Sequence, residues 1–122
     1  MLKRFTIVII LLFLVLPVFA DNKTIAINNK AFLYMYTKDC GYCNKFEPNF
    51  NKLEQIYGKK CAFLKQDAST EYGTTLMNEF KAFYVPFVAL INYEKQTIQR
   101  VAPTCLLNYA CVKDAVDKFV SQ

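Results

Sequence analysis

The sequence predicts an α/β fold, a single domain in which strands and helices alternate. Three observations carry that expectation. Apolar runs of strand length at 31–36 and 87–91 are bounded by polar turn residues, as suits strands covered on both faces. Elsewhere apolar residues recur at helical spacing, first at Phe46, Phe50, Leu53, Ile56 and Tyr57, and last at Val112, Ala115, Val116, Phe119 and Val120. Finally, 122 residues with 54% hydrophobic and 20% charged suffice for one core and are too few for two.

The chain opens with the three parts of a secretory signal. Lys3 and Arg4 supply the charge, residues 5–16 the apolar run, and Pro17-Val18-Phe19-Ala20 the small-residue cleavage site. Val18 and Ala20 fit the positions three and one residues before a cut. The uncharged stretch 5–20 has 16 residues, short of the roughly 20 needed to span a bilayer. It is therefore read as a cleaved export signal and not as a retained anchor. The expected organisation is a signal peptide over 1–20 and one domain over 21–122. The expected location is exported and periplasmic, where disulfides persist. Cleavage lowers the net charge from +5 to +3, a mild surplus that does not argue for nucleic acid.

In the mature part, 21–30 reads as a polar, Asn-rich lead-in with at most a weak edge strand. The strand 31–36 follows, and then Cys40-Gly41-Tyr42-Cys43 opens the first helix. Pro48 is expected to kink that helix and Gly58 to end it. A second strand starts at Cys61 and runs out near 65–67. Ser69 or Thr70 caps a helix whose apolar residues are Tyr72, Leu76, Met77 and Phe80. Strand 87–91, a turn at 92–96 and a partly exposed strand at 97–101 precede the closing helix.

Histidine is absent. That excludes Cys–His and Ser–His catalytic pairs and every zinc site that uses histidine. Five cysteines are the reactive equipment that remains. A strand followed by C-x-x-C at a helix start places Cys40 at the helix N-terminus. Free N–H groups and the helix dipole favour an anion there and lower a thiol pKa into a range of roughly 3.5–7.5. Cys40 is the expected nucleophile on a substrate disulfide, and Cys43, one turn further in, the residue that resolves the mixed disulfide. A purely structural disulfide would stabilise little across so short a loop. A zinc site using Cys105 and Cys111 has the wrong spacing. No metal and no cofactor is expected.

Strand 31–36, the Cys40-Gly41-Tyr42-Cys43 motif, Pro48 five residues after the second cysteine, and Val85-Pro86 before a strand hairpin together resemble the thioredoxin family. The resemblance covers most of the mature chain. It implies a thioredoxin-like fold, a central mixed four-stranded sheet flanked by helices. It also implies a cis peptide bond at Pro86, with Val85 offering backbone groups to an extended substrate segment. Two departures stand out. Many thioredoxins bury an acid six residues before the first cysteine, where this chain has Tyr34; Lys38, Asp39 and Glu47 are nearby in sequence. The intervening Gly41-Tyr42 is similar to periplasmic disulfide isomerases, whereas thioredoxins usually have Gly-Pro. A glutathione-binding Gly-Gly-x-Asp segment does not appear; Val101-Ala102-Pro103-Thr104 stands there instead.

Among the other cysteines, Cys61 reads as a small buried hydrophobe. Cys105 and Cys111 are the favoured structural disulfide if their segment is a loop, with a Cys61 pairing the next choice. The function expected is an exported thiol–disulfide oxidoreductase, closer to a reductase or isomerase than to a strong oxidase. Its partners would be cysteine-containing substrate proteins and a membrane thiol–disulfide electron donor, and the chain is expected to be a monomer. The alternative is a binding or chaperone-like module that keeps the fold but transfers few electrons.

Overall fold

A computed structural model describes residues 25–122; the signal peptide and cleavage site expected over residues 1–20 lie outside the described residues. The chain enters through a tight turn in which Ile27 and Lys30 exchange backbone hydrogen bonds of 3.1 and 3.0 Å. Asn28 and Asn29 form its tip at φ 53° and 59°, a left-handed conformation that Asn tolerates better than most residues. Within the lead-in, the described residues 25–29 contribute only an isolated bridge from Ile27 to Lys30.

Strand β1 (Lys30–Tyr36) leads into helix α1 (Gly41–Tyr57), and strand β2 (Ala62–Asp67) into helix α2 (Glu71–Glu79). The hairpin of β3 (Phe87–Asn92) and β4 (Thr97–Val101) follows. A one-turn helix α3 (Pro103–Leu106) and helix α4 (Tyr109–Val120) complete the fold. The sheet order is β2-β1-β3-β4. β1 runs parallel to β2 and antiparallel to β3, and β4 is antiparallel to β3. This is the mixed four-stranded sheet flanked by helices that the sequence predicts.

The continuous apolar runs lie where both faces are covered. Phe32 and Tyr34 of β1 pack with Val88 and Leu90 of β3 beneath α1 and α4, against Phe46, Phe50, Leu53, Val112, Val116 and Phe119. The alternate residues Ala31, Leu33, Met35, Ala89 and Ile91 face the other way, toward α2. Covering a large apolar side chain fully contributes about 1.5–3 kcal/mol, so the first face, with its larger set of buried aromatics, dominates the core.

Three local expectations differ from the structure. Ile56 is half exposed, because the stripe of α1 closes on Leu53 and Tyr57. Tyr72 is exposed and Leu76, Met77 and Phe80 only half buried, since among the described residues no element covers the outer side of α2. The segment between Cys105 and Cys111 is two helices meeting at Leu107-Asn108, where the Asn108 side chain accepts a 3.1 Å bond from the Cys111 N–H. Helix α1 continues through Pro48.

Candidate active site

Strand β1 ends at Tyr36, and a short turn delivers Cys40 to the N-terminus of α1. Cys40 is the cap residue: its backbone is extended, and its sulfur accepts a 3.0 Å hydrogen bond from the Cys43 N–H. Cys40 is half buried and Cys43 is 1% exposed. The two are joined as a disulfide with Cα atoms 5.1 Å apart. On reduction, the N–H group aimed at Cys40 and the helix dipole favour its thiolate. No acidic residue in the first turn of α1 opposes this. Cys43 has no such access to solvent.

The Val85–Pro86 peptide is cis. Because β3 is antiparallel to β1, with Met35 opposite Phe87, the start of β3 lies at the same end of the sheet as the turn into Cys40. Val85 and Cys40 both pack against the cluster that contains Cys43. Around them Tyr42 is 61% exposed, Phe83 90% and Tyr84 43%. Gly41 is exposed and open, with nothing within 4 Å of where a Cβ would stand. Phe83 was not singled out from the sequence; its position two residues before the Val85-Pro86 step was the available signal.

Beneath the pair, Tyr34 is completely buried. Its hydroxyl lies 3.2 Å from the Cys43 carbonyl oxygen and 3.1 Å from Glu47 Oε2. Lys65 stands opposite Tyr34 in the β1–β2 register and pairs with Glu47 Oε1. Its ammonium also sits 4.5 Å over the Tyr36 ring. Burial, and next the Glu47 charge, push the Tyr34 phenol far above its ordinary value, so it remains a protonated donor. Of the three charged residues close to the pair in sequence, Glu47 is the one tied to it; Lys38 and Asp39 are exposed.

Cys105 and Cys111 form a second disulfide, with Cα atoms 5.2 Å apart, between α3 and the first turn of α4. Asn49 of α1 donates a 3.0 Å bond to the Leu106 carbonyl and ties that segment to the active-site helix. Cys61 is a free, fully buried thiol. Among the described residues no group of three or more Cys, Asp or Glu side chains is assembled to hold a metal. No described helix is long and apolar enough to cross a membrane.

Together the fold and the cysteine pair define a thioredoxin-type protein. The thioredoxin family model matches residues 18–106, well over half of the chain, and the chain belongs to that family. Membership and the Cys40–Cys43 pair support thiol–disulfide oxidoreductase chemistry in general. Among solved structures, the chain is similar to the J-Trx1 fragment of ERdj5, with TM-score 0.67 and 8% identity. That match covers 78% of this chain and 45% of the fragment, so the chain spans less than half of that relative's length. Oxidised mitochondrial thioredoxin 3 from Saccharomyces cerevisiae is 22% identical, with TM-score 0.60, over 75% of this chain and 79% of its own. Spinach chloroplast thioredoxin f is 23% identical, with TM-score 0.61, over 76% and 72%. At such identities these likenesses show the fold alone. No curated protein sequence matches the chain.

Proposed function

We propose that this protein is an exported thiol–disulfide oxidoreductase that exchanges disulfides with cysteine-containing proteins through Cys40 and Cys43. The observation that carries the reading is the asymmetry of the pair. Cys40 is half buried with its sulfur on a helix-end N–H, while Cys43 is sealed one turn inside. The outer sulfur is placed to be attacked or to attack, and the inner one to close the ring. An extended substrate segment would lie along Val85 and Pro86, flanked by Tyr42, Phe83 and Tyr84.

The direction we propose is reductase or isomerase, with a membrane thiol–disulfide donor keeping the pair reduced. A strong oxidant needs an unusually stable reduced form, and Gly41-Tyr42 contributes no cation beside the Cys40 sulfur. The chain would act as a monomer. Export rests on the charged, apolar and small-residue parts of residues 1–20.

The test is trapping. With Cys43→Ser, capture by Cys40 still occurs and release does not, so substrate proteins accumulate as mixed disulfides on Cys40. With Cys40→Ser no adduct forms. Adducts held through Cys43 would show the roles reversed.

A further inference from the structure

The resolving thiol of Cys43 must lose its proton in a site that water does not reach, for the residue is 1% exposed. The strand below offers no carboxylate, since the side chain there is Tyr34, whose burial keeps its phenol protonated. Glu47 follows Cys43 by four residues on α1. Residues so spaced share one helix face, with Cβ atoms about 5–6 Å apart, a span within the reach of a glutamate side chain.

Two elements fix the Glu47 carboxylate in that place. The Tyr34 hydroxyl of β1 lies 3.1 Å from one oxygen and, at 3.2 Å, touches the Cys43 carbonyl oxygen as well. The Lys65 ammonium of β2 holds the other oxygen and rests on the Tyr36 ring. The titratable groups in contact with the Glu47 carboxylate are Tyr34 and Lys65, and Tyr36 lies behind Lys65. The Glu47 side chain is 31% exposed, so a proton taken on the inner side can leave to water on the outer side.

We propose that Glu47 is the proton acceptor for the Cys43 thiol, with Tyr34 and Lys65 as positioning residues. The assignment rests on the exchange reading above. In the resolving step the Cys43 S–H bond breaks and its proton passes to the Glu47 carboxylate. The Cys43 thiolate attacks the Cys40 sulfur, the Cys40–Cys43 bond forms and the Cys40–substrate bond breaks. The electron pair leaves on the substrate sulfur, which takes up a proton from Glu47 or water. The substrate disulfide is reduced by two electrons and the cysteine pair oxidised by two.

The reduced full-length chain, mixed with the aromatic disulfide dithiobis-nitrobenzoate, separates the two steps. Capture joins one thionitrobenzoate to Cys40 and expels the other as a thiolate, and resolution releases the second. Acid quenching and peptide mass follow the Cys40 adduct without interference from the other cysteines. Glu47→Gln is expected to leave capture within about twofold and to slow resolution about 10²-fold near neutral pH, the lower range of general-base effects. The two resolution rates should converge in alkali, where the thiol ionises unaided. Tyr34→Phe, which keeps the packing, should slow the same step less and converge in the same way. Resolution unchanged by Glu47→Gln, or slowed by one factor at every pH, overturns the assignment. A Cys43→Ser variant that never forms the Cys40 adduct, with wild-type protein that releases no thionitrobenzoate, would defeat the exchange reading itself, and the proposal with it.

Discussion

Cys61 and Cys40 are one residue type in opposite surroundings. Cys61 is fully enclosed by apolar residues, and burial pushes its thiol from about 9 up to about 11, with Lys30 opposing weakly. Cys61 is therefore expected to resist iodoacetamide in the folded protein at about pH 8 and to label on unfolding; labelling of the native chain at the rate of a free thiol would contradict its burial. The thiol's contribution to stability is complete below the unfolded value near 9 and is lost as pH rises through about 11. Tyr34 and Tyr57, both raised chiefly by burial, extend the loss into stronger alkali. The urea midpoint should fall over that range, and Cys61→Ala should remove the thiol's share. The inert character of Cys61 was legible from its apolar neighbours in sequence. The Tyr34–Glu47–Lys65 contact was not, because it depends on the pairing of Tyr34 with Lys65 across two strands.

At the scale of elements, α2 is set by one close approach. A Cβ on Gly73 would stand 1.8 Å from the Asp67 carbonyl oxygen and 2.9 Å from the Ala68 Cα. The Thr70 hydroxyl caps the same turn by accepting from the Gly73 N–H at 2.9 Å. Gly73→Ala must displace backbone, so it should cost at least the upper part of the roughly 1–3 kcal/mol typical of overpacking. Gly41→Ala meets nothing within 4 Å and should leave stability level or raise it by about 0.4–1 kcal/mol. Urea unfolding of both variants checks the contrast; equal effects would mean that α2 does not sit so close to β2. A cap at Ser69 or Thr70 was readable from sequence, and the structure uses Thr70; the need for glycine at 73 was not, since it arises from a contact with the end of β2. Helix α3 was missed because its four residues are too few to show a period. Pro103 at its start was the signal available.

Across the whole molecule, the topology gathers distant segments at one end of the sheet. The exit of β1 brings Cys40, and the entry of β3 brings Pro86. The exit of β4, with Val101 opposite Val88, brings the segment that carries Cys105. The order of elements and the buried strands were legible because apolar runs and helical spacing are local signals. The uncovered outer side of α2, bordering a groove of about 580 Å³ that includes Leu33, Leu64, Leu76 and Ile91, was not, since it depends on which elements are present to pack there. That groove lies on the sheet face away from Cys43. Insulin reduction with dithiothreitol shows whether Cys40 and Cys43 carry electrons between thiols and disulfides. The wild-type chain is predicted to shorten the onset of precipitation relative to a variant with both Cys40→Ser and Cys43→Ser. An identical onset for the two proteins would contradict that role.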